Sequence, residues 1–172
     1  GYPKELTDVN GTLFFYARDG IHGYELWKSD GTEAGTVLIH DIRPGSDDSS
    51  PSWLTNVNGT LFFSANDGSS NGRELWKSDG TETGTVMVSD IEGGSFPQSL
   101  ADVNGTLFFI VTDYQHGYYE LWKSDGTEAG TVLVKDLDSG TDDYGYPNDA
   151  YPYYMNSVDD VLYFSAHTTA SG

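Results

Sequence analysis

The chain has 172 residues and no cysteine, and its 27 Asp and Glu residues against 8 Lys and Arg residues give a formal net charge of −19. The lack of cysteine excludes disulfides, thiolate zinc sites and a cysteine nucleophile. The negative charge disfavours nucleic acid and anionic lipid, and no apolar run approaches membrane-spanning length, so we expect no nucleic-acid partner and no membrane insertion. Because the first residue is Gly1 rather than Met, we expect a processed or excised piece of a longer product.

Two blocks of sequence recur along the chain. The first, LTDVNGTLFF at 6–15, returns at 54–63, at 100–109 and, in degenerate form, at 155–164. The second, ELWKSDGT at 25–32, returns at 74–81 and 120–127 and is missing from the last copy. This self-similarity predicts a single repeat domain over 1–172. Its copies span 1–50, 51–96 and 97–151, followed by a partial copy at 152–172.

Each full copy predicts four short strands, as the second copy illustrates. A strand at 53–57 is followed by Asn58-Gly59, the dipeptide favoured in type I′ hairpin turns. Strands at 60–65, 73–78 and 84–91 follow, with Asp79-Gly80 closing the third. No stretch has a helical period, so we expect no helix.

The strands that contain LFF and TVLV are apolar on both faces, because adjacent positions point to opposite sides of a strand. Without helices, only other sheets can cover these faces. The sequence therefore predicts an all-β fold of tandem four-stranded antiparallel sheets stacked like the blades of a β-propeller. The alternative is an open superhelical stack of the same sheets.

The repeated ELWKSDGT segments, each followed by Gly-Thr, resemble the bacterial ELWxxDGT repeat over nearly the whole chain. That family occurs as arrays in large secreted or surface proteins and is considered propeller-like. The resemblance implies an extracellular or cell-surface, non-catalytic setting, and it identifies no ligand.

The fourth copy departs from the pattern because it stops after its second predicted strand, which leaves an unpaired edge and an uncovered apolar face. The missing strands can lie in a larger chain, the edge can pair with the start of the same chain, or a neighbouring chain can complete it. We expect either the first or the last of these, and repeated head-to-tail completion would give a filament.

An acidic loop before the fourth copy resembles a calcium loop, since Asp136, Asp138 and Asp142 alternate around a Gly turn. The equivalent loop of the first copy, with Asp41 and Asp47, matches less well. Oxygen ligands in this pattern favour a hard cation, so calcium is the one candidate cofactor. The alternative is a solvated loop with Asx-turn hydrogen bonds.

Aromatic residues provide two further candidate sites. Tyrosines crowd the segment around the start of the fourth copy and predict an interface with protein or carbohydrate, or local packing. They are Tyr144, Tyr146, Tyr151, Tyr153 and Tyr154. The recurring Trp27, Trp76 and Trp122 predict structural anchors between sheets, each with its N–H satisfied by a turn, and sugar stacking is the weaker interpretation.

The polar residues that could act in catalysis recur in every copy, whereas an enzyme needs one differentiated site, so we expect no enzyme. The leading hypothesis is an extracellular structural or adhesive repeat protein that assembles through its incomplete copy. The alternative is a calcium-dependent, lectin-like module that binds carbohydrate or protein.

Overall fold

The computed structural model describes residues 2–70, 72–91, 96–113, 118–135 and 152–167. Within these ranges the chain is all-β, and the prediction that it lacks helices is confirmed. It follows that no described segment is a helix with the length and apolarity needed to cross a membrane. The strands are β1 (Lys4–Val9), β2 (Thr12–Ala17), β3 (Glu25–Ser29), β4 (Val37–His40), β5 (Ser52–Val57), β6 (Thr60–Ala65), β7 (Glu74–Ser78), β8 (Val86–Ser89), β9 (Phe96–Val103), β10 (Thr106–Asp113), β11 (Tyr118–Ser124), β12 (Val132–Lys135), β13 (Tyr153–Val158) and β14 (Val161–Ser165).

The strands form three four-stranded antiparallel meanders and one two-stranded hairpin. Sheet 1 contains β1 to β4, sheet 2 contains β5 to β8, sheet 3 contains β9 to β12, and hairpin 4 contains β13 and β14. In each full sheet the strands pair in chain order, and none of the described sheets closes into a barrel. The predicted tandem of four-stranded sheets is therefore confirmed.

Tight turns join the first two strands of each sheet. Asn58 and Gly59 both have positive φ, 51° and 83°, as a type I′ turn requires. Asn10-Gly11 and Asn104-Gly105 have the same conformation, and Asp159-Asp160 adopts it in hairpin 4 without glycine.

The predicted strand limits hold best where the hairpin turn fixes them. β6 spans Thr60–Ala65 as predicted, whereas β8 covers only Val86–Ser89 of the predicted 84–91. The difference has a local cause at each end. Thr85 N donates to Glu82 O inside the preceding turn, and Ile91 N donates to the Glu74 carboxylate rather than to a strand.

The sheets stack in chain order through their first strands, since β1 lies against β5, β5 against β9, and β9 against β13. Two apolar clusters fill the spaces between full sheets. The first joins sheets 1 and 2 and contains Val9, Phe14, Leu26, Ile39, Ile42, Leu61, Phe63, Ala65 and Trp76. The second joins sheets 2 and 3 and contains Val57, Phe62, Leu75, Val88, Ile91, Leu107, Phe109 and Val111.

Candidate functional site

The contact between consecutive sheets is the recurring site of this molecule. We call the face of a sheet that packs on the preceding sheet its leading face, and the opposite face its trailing face. In sheet 2 the leading face contains Leu61, Phe63, Ala65 and Trp76. The trailing face of the same sheet contains Val57, Phe62, Leu75, Val88 and Ile91. Alternation along each strand supplies both faces, as expected for a strand that is covered on both sides.

A lysine bond links sheet 1 to the closing turn of sheet 2, and a second one links sheet 2 to that of sheet 3. Lys28 Nζ donates to the carbonyl oxygen of Gly80 at 2.7 Å, and Lys77 Nζ donates to that of Gly126 at 2.8 Å. Both lysines are partly buried. Lys123 occupies the same position in sheet 3, is exposed, and its side chain has no hydrogen bond to any described residue.

The first strands add a second polar link in the same register. Thr7 Oγ1 donates to Leu54 O at 3.1 Å, and Thr55 Oγ1 donates to Leu100 O at 3.4 Å. Because each bond joins equivalent positions of neighbouring copies, the interface between sheets repeats as precisely as the sequence does.

The Asn-Gly turns also contact one another from sheet to sheet. A Cβ atom at Gly59 would lie 2.5 Å from Asn10 Nδ2, and one at Gly105 would lie closer still to Asn58 Nδ2. The asparagine therefore serves the turn of its own hairpin and packs on the next one.

The Ser-Asp-Gly-Thr segments form identical hydrogen-bonded turns. In sheet 2, Thr81 donates its N–H and its hydroxyl to Asp79 Oδ1 at 2.8 and 2.7 Å. These bonds, the hydroxyl bond first, lower the pKa of Asp79, and the equivalent threonines lower the pKa of Asp30 and Asp125. The repeated aspartate therefore accepts hydrogen bonds within its own turn.

The glutamate of the ELW block fastens the connection to the next sheet, a role the sequence reasoning missed. Glu25 is fully buried and accepts hydrogen bonds from Ser49 N at 2.9 Å, from the Ser49 hydroxyl, and from Ile42 N at 3.1 Å. Glu74 accepts one from Ile91 N at 2.9 Å. Burial raises the pKa of both carboxyls, that of Glu74 to about 7. The sequence signal that could have indicated this role is the glutamate that recurs at the start of every ELW strand.

The acidic residues predicted to bind calcium in the first copy have other partners. Asp41 Oδ2 accepts from Gly45 N at 3.2 Å, four residues further along the chain. Asp47 forms an exposed ion pair with Arg43 at 3.1 Å. Among the described residues no three His, Asp or Glu side chains group as metal ligands. Asp136, Asp138 and Asp142 lie outside the described residues.

Only part of the tyrosine cluster can be placed. Tyr153 and Tyr154 lie on β13, are 47% and 83% exposed, and pack edge to face with ring centroids 4.9 Å apart. Tyr144, Tyr146 and Tyr151 lie outside the described residues.

The three tryptophans lie on leading faces. Trp76 is in the first apolar cluster, Trp122 packs against the second, and Trp27 is half-buried on sheet 1. The expectation that a turn satisfies each N–H is wrong for Trp27 and Trp76, whose Nε1 atoms are buried without a partner among the described residues. In sheet 1 the Ser, Asp and Thr side chains of the turn bond within the turn itself.

A strained position recurs on the first strand of each copy. A register shift there leaves one non-glycine residue with positive φ: Glu5 at 52°, Trp53 at 60°, Ser99 at 54° and Tyr154 at 56°. Bulges re-aim side chains, and here the bulge residue differs in every copy, while the residue after it is leucine in all three full copies. Trp53 is 42% exposed and Tyr154 is 83% exposed.

The fold defines this chain as an all-β protein of tandem antiparallel sheets that stack through one repeated interface. Comparison with protein-family models, curated proteins and solved structures gives no match.

Proposed function

We propose that this chain is a non-catalytic structural or adhesive repeat protein, located outside the cell or on its surface, whose sheets are modules for stacking and assembly. The observation that carries the proposal is the engagement of the recurring polar side chains in scaffold contacts. Lys28 and Lys77 join neighbouring sheets, Asp79 closes its turn, and Glu25 holds the following connection. A repeated catalytic centre would instead leave such groups accessible to a substrate.

A propeller-like arrangement of the sheets is part of this proposal. It is supported by the in-order stacking of β1, β5, β9 and β13, the innermost strands in a blade arrangement, and by the resemblance to the ELWxxDGT repeat. An open superhelical stack is the alternative arrangement. Small-angle scattering of a chain with additional copies distinguishes them, because a superhelix lengthens with each copy whereas a propeller widens into a ring.

Assembly of the purified chain tests the proposed function. We expect electron microscopy and light scattering to show regular assemblies of stacked chains. We also expect no hydrolytic activity on glycoside or ester substrates. A chain that stays monomeric under all conditions, forms no assemblies and binds a small ligand would contradict the proposal.

A second candidate function is carbohydrate binding, with calcium as an accessory ion. It is favoured by the exposed aromatic rings at the bulge positions, Trp53 and Tyr154, with Tyr153 beside the latter. Rigid aromatic rings offer apolar faces on which sugars stack. The calcium site of this candidate would be the loop with Asp136, Asp138 and Asp142.

A glycan array with and without calcium tests this second candidate. If this candidate is correct, we expect the wild-type chain to bind one sugar class and the Tyr154→Ala variant to lose that binding. The matched control is Tyr2→Ala, which removes an equally exposed tyrosine (77%) away from the bulges. In thermal unfolding, Asp138→Ala should abolish any stabilisation by calcium, and a wild-type chain indifferent to calcium and to all glycans would exclude this candidate.

A further inference from the structure

The first sheet carries a leading face that no described part of the chain covers. Leu6 is 62% exposed, whereas its equivalents Leu54 and Leu100 are partly buried against the apolar clusters. Thr36 is exposed, whereas Thr85 is 3% exposed. A shallow cleft of about 280 Å³ lies on this face. Its lining residues are Pro3, Phe15, Ala17, Arg18, Trp27 and Thr36.

The closing turns also indicate that no described sheet packs on the leading face of sheet 1. A Cβ atom at Gly80 would lie 3.1 Å from the Phe14 ring of sheet 1, and one at Gly126 would lie 3.1 Å from the Phe62 ring of sheet 2. At Gly31 of sheet 1 a Cβ atom would meet nothing within 4 Å. The closing-turn glycine of sheets 2 and 3 accepts a lysine hydrogen bond at its carbonyl oxygen. The equivalent carbonyl oxygen in sheet 1, that of Gly31, is therefore accessible.

Hairpin 4 carries the matching open surface at the other end of the stack. Val158 and Tyr163 are 47% and 59% exposed. They occupy the positions of Val9 and Phe14, which are 5% and 3% exposed because sheet 2 covers them. Leu162 and Phe164, which alternate with Tyr163, are half-buried on the opposite side.

We propose that the leading face of sheet 1 binds the trailing face of hairpin 4 from a second copy of this chain, in the register that joins sheets within one chain. The inference rests on the proposed function and names the surfaces that carry assembly. In sheets 2 and 3 the trailing face of the preceding sheet covers the leading face. The contact is head to tail, so it forms an open chain or a ring.

Polar groups at the two ends fit this register. Asn156 of hairpin 4 occupies the position of Thr7, whose hydroxyl donates to Leu54 O of the next sheet. The Asn156 amide can therefore donate to Leu6 O of a second copy. Both copies carry a formal charge of −19, so association strengthens as salt screens their repulsion.

Three single substitutions, each adding one negative charge, test the proposal in sedimentation velocity of the full 172-residue chain. Leu6→Asp alters the leading face of sheet 1, and Val158→Asp alters the trailing face of hairpin 4. Ile21→Asp, at a 74% exposed aliphatic residue between β2 and β3, is the matched control. All three sites are at the surface, and circular dichroism verifies that each variant folds. Tyr163→Asp replaces Val158→Asp if the latter unfolds.

We expect the wild type and Ile21→Asp to associate with increasing concentration. Each face variant alone should associate at least about tenfold more weakly, because a buried, unpaired carboxylate opposes docking. A mixture of Leu6→Asp with Val158→Asp should form heterodimers and nothing longer, since each variant keeps one intact face.

Each of the following results would overturn the inference. Association of the wild type that neither face variant weakens would place the contact elsewhere and leave the proposed function standing. Weaker association of only one face variant would indicate a symmetric contact between two copies of that face. Loss of association in both variants without heterodimers in the mixture would mean that the two intact faces do not bind each other. A wild type that remains monomeric at every salt concentration and forms no assemblies by microscopy would contradict the proposed function as well.

Discussion

Sheets 1 and 2 have nearly the same sequence and the same strand register, but their equivalent residues differ in exposure. Ser29 is half-buried and Ser78 is fully buried, while Gly31 is exposed and Gly80 is buried. The difference lies in the neighbour: within the described part of the chain, sheet 2 has a sheet on each face, and sheet 1 has one on its trailing face only. The comparison teaches that burial at a repeat position is set by the stack rather than by the residue itself.

The largest predicted difference between the two sheets concerns their equivalent phenylalanines. Phe63 is fully buried between sheets 1 and 2, so Phe63→Ala should lower the free energy of unfolding by about 3–5 kcal/mol. Phe15 occupies the same position in sheet 1, is 8% exposed and lies outside both clusters, so Phe15→Ala should lower this free energy by about 1–2 kcal/mol less. Urea unfolding of both variants measures the difference. Equal losses of unfolding free energy in the two variants would mean that the neighbouring sheet 1 adds nothing to the stabilisation by Phe63.

The buried glutamate of sheet 2 should make its stability depend on pH. Burial raises the pKa of Glu74 from 4.5 to about 7, with Asp90 and Asp67 nearby adding to the shift. Between these values the folded state holds a proton that the unfolded state has released, so the contribution of Glu74 to stability is greatest below pH 4.5 and is lost as pH rises through 7. The change in this contribution is on the order of 3 kcal/mol.

Glu74→Gln should flatten this pH dependence in unfolding experiments across that window. Glu33→Gln, in an exposed turn of sheet 1, is the control for the loss of one carboxylate. Matching pH profiles for the wild type and Glu74→Gln would show that this carboxyl does not titrate in the buried environment described here.

A smaller difference is expected at the closing turns. Gly31 and Gly80 have φ values of 92° and 87°, so alanine is strained at both positions, at about 1 kcal/mol. Only Gly80→Ala also meets the Phe14 ring, at 3.1 Å, which adds roughly 1–2 kcal/mol. Thermal unfolding of the two variants should differ by that amount, and a larger loss at Gly31 would contradict the stacking of sheet 1 on sheet 2.

The smallest predicted difference in stability is between substitutions of Lys77 and Lys123. Lys77→Met removes the bond to Gly126 O and should destabilise the protein by about 1 kcal/mol, since charged hydrogen bonds are stronger than neutral ones. Lys123→Met, at the exposed equivalent in sheet 3, should change stability by less than about 0.5 kcal/mol. Comparable effects in urea unfolding would mean that the bond between sheets is not stabilising.

The sequence predicted those features that depend on nearby residues. Asn58-Gly59 fixes a hairpin because both residues adopt positive φ, and β6 follows at its predicted limits. The recurrence of the blocks likewise predicted the stack of four-stranded sheets, because an apolar strand with two covered faces needs neighbours on both sides.

The features that could not be predicted join residues far apart in the chain. Glu25 binds Ser49 across 24 positions, and Lys28 binds Gly80 across 52 positions. The glutamate and the lysine recur in every ELWKSDGT block, but nothing near them in the sequence identifies their distant partners. The bulge at Trp53 is also invisible in the sequence, because a tryptophan with positive φ is tolerated only when the surrounding strands impose it.

Hydrogen exchange of backbone amides at two protein concentrations tests the central claim most directly. In dilute solution the account predicts the slowest exchange in β6, covered on both faces, faster exchange in β2, and the fastest in β14. Raising the concentration should protect β2 and β14 and leave β6 unchanged, because assembly covers the two open faces. Equal protection of β2 and β6 in dilute solution, with no response to concentration, would contradict the account.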